Sequence, residues 1–546
     1  MFQRMEKCLK VIHRPAQKIA AILAAALLFA GAFPNPLFLG GFPIVAWIAF
    51  VPVFWVARNS SLAGSALWGI AYAMSAYGFY NYWLSVFHPL AGTIVGVIYA
   101  AYFAILFPLL TISYRLFPKR GYVVQWLLWL SYEYLRTLGF LGYPYGIIGY
   151  SQWRMTFLIQ IAEIVGVWGI SALVVFPSAF IAAALQGGYR NTWKFLKSEK
   201  YTILVWGAAT ACSLAYGLIS PVDYSASPKK RIALVQNNSD PWRGGIAAYR
   251  ENFLTLKRLS DVALAAEKKP DLVVWSETAF VPRIFWHSTY RDDPESYILV
   301  KELLDYLARQ RTPFVIGNDD GRKEATPAGN WERVDYNAVL LYVQGQERGV
   351  YRKMHLVPFT EHFPYERQFP AIYRALKAAD THFWKKGTDP TVFTIDGFKF
   401  STPICFEDTF GYISRRFVSN GADLLVNVTN DAWAKSLSAQ NQHLGMAVFR
   451  AVENRRTMVR ATASGQTCAI DPNGRIIEMA DPFIETQLTV EVPIYNHRKT
   501  IYTRYGDYLG AAFIVLSGMT MACGLGRKIR GNLRKRVGLD ISANSL

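Results

Sequence analysis

The chain is expected to join a multi-span α-helical membrane domain to an α/β domain. Three observations carry this expectation: 52% of its 546 residues are hydrophobic and only 18% charged; apolar runs follow one another from Gln17 to Ser220; and from Lys229 to about His497 the pattern changes to alternating strands and amphipathic helices rich in charge. A chain this long exceeds one ordinary domain, and its composition departs from that of soluble enzymes.

Crossing the hydrocarbon layer takes about 20 apolar residues. Runs of that order lie near 17–33, 37–57, 62–84, 90–114, 121–138, 156–186 and 201–220, with an eighth at Tyr508–Cys523. The first run, with Arg14 and Lys18 before it, is read as a retained anchor, because further spans follow it. The expected organisation is a seven-span domain over 1–220, a polar domain over 229–497, a closing span over 506–524 and a basic tail over 525–546.

Basic residues next to short spans stay on the cytoplasmic side. Arg4, Lys7, Lys10, Arg14 and Lys18 precede the first span; Arg58, then Arg115, Lys119 and Arg120, then Arg190, Lys194, Lys197 and Lys200 fall in alternate loops; Arg527, Lys528, Arg530, Arg534, Lys535 and Arg536 fill the tail. Against them stand Glu6, Glu199 and Asp540. One membrane face thus holds most of the net charge of +19, which calls for no nucleic-acid partner. Both termini are expected inside, and residues 222–505 outside, in the periplasm of a double-membrane bacterium.

In the polar domain, strands are expected at Arg231–Asn237, Leu272–Trp275, Phe314–Gly317, Ala338–Val343, Lys399–Ile404 and Leu424–Val428, and helices at Ala247–Glu267, Glu295–Arg309, Phe410–Asn420 and Gln442–Asn454. Several of these strands are continuous apolar runs, the pattern of sheets covered on both faces.

Of the five cysteines, Cys8, Cys212, Cys405, Cys468 and Cys523, no two form a C-x-x-C pair, and no zinc-type Cys/His spacing occurs. A single bridge between Cys405 and Cys468 stays open. Cys405 stands in Ser-Thr-Pro-Ile-Cys-Phe-Glu-Asp, where an apolar strand ends and a helix begins. Such a turn can lower a thiol's pKa through the helix N-terminus and hold an oxyanion on backbone N–H groups; a small buried hydrophobe also fits. Glu277 ends the strand of Val-Val-Trp-Ser-Glu-Thr and fits a general base or a surface carboxylate. Lys353 fits an oxyanion-stabilising cation or a solvated lysine. Glu361 and Glu407 add carboxylates. Walker-type loops, G-x-S-x-G elbows and H-E-x-x-H helices do not occur. His287, His355, His362, His382 and His443 lack metal spacing, so neither metal nor cofactor is expected.

The order strand–Glu, Lys with a second Glu eight residues on, then strand–Cys–x–Glu resembles the nitrilase superfamily. So does Asn427-Val-Thr-Asn-Asp-Ala-Trp433, with the helix holding Gln442, His443 and Arg450 behind it. The resemblance implies an αββα sandwich and a Glu277–Lys353–Cys405 triad. With the spans, Arg352-Lys-Met-His-Leu-Val-Pro-Phe-Thr-Glu-His-Phe-Pro364 and Thr503-Arg-Tyr-Gly-Asp507, nearly the whole chain resembles the apolipoprotein N-acyltransferase family. Phe406 stands where that family has Tyr, Ala434 where it has Phe, and Tyr145 where it has Trp.

The family implies that Cys405, activated by Glu277, attacks a membrane phospholipid such as phosphatidylethanolamine. Lys353 and the Phe406 N–H would hold the oxyanion, and the acyl group would pass to the α-amine of a diacylated apolipoprotein. Glu361 and Glu407 would hold the triad or the intermediate, and Trp242, in Asp-Pro-Trp-Arg, would lie on a loop near the cysteine. Tyr82, Trp83, Phe140, Tyr143 and Tyr145 fit an apolar entrance and equally an interfacial aromatic belt. Gly92 and Gly96 fit close helix packing. Two rivals stand: a membrane-tethered amidase that passes its acyl group to water, and a transporter or receptor. For the latter, Glu133, Arg136 and Glu163 would be the ionisable residues of a path.

Overall fold

The computed structural model describes residues 2–87, 91–325, 329–378 and 382–543, with side chains described from 15 to 86, 91 to 186 and 191 to 533 outside those gaps. The side chains of Cys8, Arg4, Glu6, Lys7, Lys10, Arg14, Arg190, Arg534, Lys535, Arg536 and Asp540 lie outside those described.

Among the described residues the polar domain holds twelve strands: β1 (Lys229–Gln236), β2 (Leu272–Trp275), β3 (Phe314–Ala325), β4 (Trp331–Val343), β5 (Gln346–Arg352), β6 (Phe393–Ile395), β7 (Phe398–Ser401), β8 (Leu424–Thr429), β9 (Thr457–Thr462), β10 (Cys468–Ile470), β11 (Ile476–Met479) and β12 (Thr486–Pro493). They form two sheets, ordered β12-β1-β2-β3-β4-β5 and β6-β7-β8-β9-β10-β11. Read in those orders, both sheets show the same succession of pairings: antiparallel, two parallel, two antiparallel.

Side chains alternate across a strand, so one strand serves two cores. Ile232 and Leu234 of β1, Leu272 and Val274 of β2 and Val339 and Leu341 of β4 face the second sheet. Their neighbours Ala233, Val235, Val273, Trp275, Leu340 and Tyr342 pack under helices Ile246–Leu264 and Pro294–Ala308. The second sheet is covered by helices Gly411–Ser419 and Leu437–Asn454. Helix, sheet, sheet, helix is the αββα sandwich, and it accounts for the continuous apolar runs.

Two strands differ from their apolar runs. β3 and β4 continue as a polar hairpin to Ala325 and Trp331, which backbone pairing sustains without an apolar face. β7 stops at Ser401 because Pro403 cannot donate to a ladder; Ile404 rejoins β8 only as a bridge to Val428.

Among the described residues, five helices are long and apolar enough to cross a membrane: Pro15–Ala32, Ala91–Leu116, Ala162–Ala184, Lys200–Ile219 and Tyr508–Leu533. Between them lie helices Leu62–Tyr80 and Gly121–Leu135, and residues Pro43–Arg58 form a 3-10 turn followed by a short helix. Helices Leu62–Tyr80 and Ala91–Leu116 approach closely at Gly69, where a Cβ would come within 2.3 Å of the Phe103 carbonyl oxygen. Gly92 and Gly96 face looser surroundings, the Ser85 hydroxyl and the Met74 sulfur.

The sandwich sits on the bundle through helix Leu437–Asn454, in which every residue from Ser438 onward is buried. Trp83 Nε1 donates to Gln442 Oε1 at 3.0 Å, and Gln442 Nε2 to the Pro34 carbonyl at 3.0 Å. Arg450 donates to the Tyr150 hydroxyl at 3.0 Å and to Glu453 at 2.9 Å, while the Val167 N–H reaches Glu453 at 3.3 Å. Arg455, just past the helix, donates to Glu163 at 3.0 Å and Gln160 at 2.6 Å.

A buried ion that loses its partner costs about 3–5 kcal/mol. Arg450→Met, which strands Glu453, should therefore lower thermal stability in detergent by that order. The double variant Arg450→Met/Glu453→Met should recover most of it, measured as the unfolding midpoint of each protein.

Candidate active site

Three turns meet at the edge between the sheets. The first follows β2 and carries Glu277; its Thr278 adopts φ 46°. Gly317 of β3 allows the close fit, because a Cβ there would lie 2.2 Å from the Ser276 carbonyl oxygen and 2.7 Å from the Glu277 Cα. The second follows β5 and carries Lys353. The third, between β7 and helix Gly411–Ser419, is the 3-10 turn Cys405–Thr409, in which Cys405 itself adopts φ 47°. Non-glycine residues held at positive φ store strain that the surroundings must sustain, a feature common at active sites.

Glu277 and Lys353 form a buried ion pair, Nζ to Oε1 at 3.2 Å, and Lys353 also donates to Glu361 Oε1 at 2.8 Å. Asn337 Nδ2 donates to Glu277 Oε1 at 2.9 Å, and the Asn430 backbone N–H to Oε2 at 3.1 Å. Glu361 Oε2 accepts the Val357 N–H at 2.8 Å. Burial works against the Lys353 ammonium, but Glu277 and Glu361 outweigh it and hold the ion well above its ordinary range. Burial raises the Glu361 carboxyl, with Lys353 opposing.

Glu407, fully buried two residues after the cysteine, is surrounded by donors. Its Oε1 accepts from the Met354 N–H at 2.7 Å, the His355 N–H at 3.0 Å and the Tyr351 hydroxyl at 2.7 Å; its Oε2 accepts the Ile404 N–H at 2.8 Å. One carboxylate thus binds the lysine turn to the cysteine turn. Burial raises it to about 7 despite these bonds.

Cys405 is buried and not disulfide-bonded, as is Cys468. The thiol's pKa is not lowered by the helical turn. Burial, reinforced by the Glu277 charge, pushes it well above its ordinary value, with Lys353 opposing. The first N–H groups of a helical turn have no acceptor within it; the Glu407 N–H already closes on the Ile404 carbonyl, and the Phe406 N–H precedes it.

The membrane bundle closes one side of this centre. Tyr143 stacks on Tyr145, centroids 5.0 Å apart, and meets the Phe406 ring at 6.3 Å. Trp83 meets Trp433 at 5.6 Å, Tyr82 bonds Ser436 at 3.1 Å, and Phe140 packs on Phe359, Phe363 and Tyr365. Arg136 Nη1 holds the Tyr143 and Tyr145 carbonyls at 2.8 and 2.9 Å. The Ile148 N–H donates to Glu133 at 3.1 Å. Trp242 is 64% exposed on the loop after β1.

Sequence reasoning left Asn337, Asn430, Tyr351, Asp408, Asp431 and Arg460 without a role. Asp408 ends the quoted cysteine motif, and Asn430 and Asp431 lie inside Asn427–Trp433, but nothing local marks Asn337 on β4, Tyr351 on β5 or Arg460 on β9, whose partners come from distant turns.

Residues 231–502 match the carbon-nitrogen hydrolase family, and residues 24–180 the apolipoprotein N-acyltransferase N-terminal domain. The apolipoprotein N-acyltransferase 1 of Treponema denticola is 46% identical over 519 residues, 92% of this chain and 95% of that protein. The chain belongs to the apolipoprotein N-acyltransferase family. Its Treponema pallidum relative of the same name is 48% identical over 527 residues, covering 94% and 96% of the two chains. The apolipoprotein N-acyltransferase of Geobacter metallireducens is 31% identical over 525 residues, covering 93% and 95%. A family member with five such apolar helices is a membrane protein.

Behind the site, His443 lies between Asp408 and Asp431. Burial works against its imidazolium, but the two carboxylates outweigh it and raise the ring to about 9. A histidine raised from 6.5 contributes its full stability below about pH 6.5 and loses it as pH rises through about 9. The unfolding midpoint should fall across that window, and His443→Gln should flatten the fall.

Proposed function

We propose that the protein transfers a fatty acyl chain from a membrane phospholipid, through a Cys405 thioester, to the N-terminal α-amine of diacylglyceryl-cysteine in apolipoproteins. The observation that carries this reading is the buried Glu277–Lys353–Glu361 ion cluster beside the strained Cys405 turn, under aromatic rings supplied by the membrane bundle. The names of the relatives support the lipoprotein acceptor.

Glu277 takes the Sγ proton as sulfur attacks the ester carbonyl. Lys353 Nζ and the Phe406 N–H receive the oxyanion. The intermediate collapses, the lysophospholipid alkoxide leaves and takes its proton from Glu277, and the acyl thioester remains. The acceptor amine then attacks the thioester, gives its proton to Glu277, and Cys405 departs to be reprotonated. Glu361 sets the lysine and Glu407 the cysteine turn. The aromatic rings of Tyr143, Tyr145, Trp83 and Trp433 suit acyl chains arriving from the outer leaflet.

Eight crossings, with Pro43–Arg58 as the second, put both termini in the cytoplasm and the catalytic domain over 229–497 in the periplasm, at the bacterial inner membrane. The concentration of basic residues on one side supports this. A fluorescent protein that matures only in the cytoplasm, fused after Leu546, should fluoresce. Glu133, Arg136 and Glu163 hold loops and the docking helix, which weakens the transporter reading.

Intact-mass analysis after incubation with phosphatidylethanolamine tests the chemistry. Wild type should gain one acyl mass, which a diacylated lipopeptide removes as its own N-acyl product. Cys405→Ser should gain none. Glu277→Gln should slow acylation about 10²–10⁴-fold, the usual loss of a general base, and Lys353→Met about 10²–10³-fold. Loss of the acyl mass to water alone would make the protein a hydrolase.

A further inference from the structure

One buried group touches both halves of the reaction centre without belonging to it. The His443 ring, from helix Leu437–Asn454, places Nε2 at 2.6 Å from Asp408 Oδ1 and Nδ1 at 3.0 Å from Asp431 Oδ1. Asp408 belongs to the same short turn as Cys405. Asp431 follows Asn430, whose backbone N–H grips Glu277 Oε2 at 3.1 Å. Arg460 of β9 also bonds Asp408 but reaches Asp431 only at 3.5 Å. Both groups thus bridge the two turns, and the ring is the one that holds Asp431 closely, at 3.0 Å. We propose that His443 is a positioning residue, whose two nitrogens tie the Cys405 turn to the loop that grips Glu277 and so set the separation of nucleophile and base. This rests on the assignment of those two residues above.

The physical case has three parts. A ring with both nitrogens against carboxylates donates twice only as imidazolium, and Asp408 and Asp431 favour that form. Asp408, Asp431 and Arg460 are the charged groups facing it, and the Tyr145 ring covers it at 6.2 Å. Each carboxylate thus has a cation on either side, and neither turn can shift without breaking a buried charged bond. Finally, neighbouring Gln442 is bonded to the membrane bundle, so the ring sits on a backbone that cannot slide. Proton transfer from Cys405 to Glu277 depends on their separation, and a misplacement of about 1 Å can cost about 10²-fold in rate.

Two variants each keep one tether: His443→Gln can still reach Asp408, and His443→Asn can still reach Asp431. In single-turnover acylation by phosphatidylethanolamine, both should be slowed about 30–100-fold at saturating lipid, with the half-saturating lipid concentration within about twofold of wild type, because the bridge acts on the chemical step. If either folded variant acylates within about threefold of wild type, or if lipid saturation shifts instead of rate, the proposal is overturned. Alkylation of Cys405 by iodoacetamide, followed by peptide mass against pH, supplies a readout that needs no substrate. The variants should show a slower Cys405 reaction displaced to higher pH, and superimposable profiles would overturn the bridge. If wild type forms no acyl-enzyme, the acyltransferase reading fails, and the alkylation profiles still decide on His443. Should both His443 variants fail to fold, Asp431→Asn, which preserves shape and loosens one tether, is measured in the same two assays with the same criteria.

Discussion

The rest of the structure depends on burying one polar helix on both of its faces. Helix Leu437–Asn454 covers the second sheet of the sandwich and is itself covered by the membrane bundle. With both faces buried, its polar groups turn to protein partners. Gln442, Arg450 and Glu453 find theirs in the bundle, and Arg450 also donates to the Thr409 carbonyl at the end of the cysteine turn at 3.2 Å. The same bonds that seat the sandwich therefore orient the Cys405 turn relative to the membrane bundle.

Within the site, charge is balanced by pairs that share partners. Lys353 lies between Glu277 and Glu361, while Glu407 spends its lone pairs on backbone N–H groups and the Tyr351 hydroxyl. Such an arrangement leaves Glu277 with Asn337, Asn430 and Lys353 as fixed neighbours, so its position owes little to its own flexible chain. In this setting burial and the Glu277 charge push the Cys405 thiol well above its ordinary pKa.

The repeated pairing order of the two sheets places these turns. In each sheet the parallel strands end in loops at one edge, where ligand sites of α/β folds form. Glu277 follows a parallel strand of the first sheet; Cys405 and Asn430 follow parallel strands of the second. Facing the sheets together makes one centre from two similar halves, with Lys353 added from the antiparallel edge.

Hydrophobic periodicity made the membrane and α/β character legible, and the spacing of Glu277, Lys353, Glu361, Cys405 and Glu407 exposed the candidate chemistry, because strand ends and short motifs are local properties. The polar part of the β3–β4 hairpin and strands β5, β6 and β9–β12 were not legible, since short or polar strands persist through pairing rather than pattern. Nor did sequence foretell the direction of the Cys405 shift, which depends on how deeply the turn is buried. By itself the sequence determined which segments prefer lipid, where basic charge gathers and in what order the candidate acid, cation and nucleophile occur. Tertiary structure alone decided that Asn337, Asn430 and Tyr351 hold the centre, that His443 spans two turns, and that a polar helix joins the sandwich to the bundle. Each of these is a contact between groups far apart in the chain, and only the packed fold brings such partners within hydrogen-bond distance.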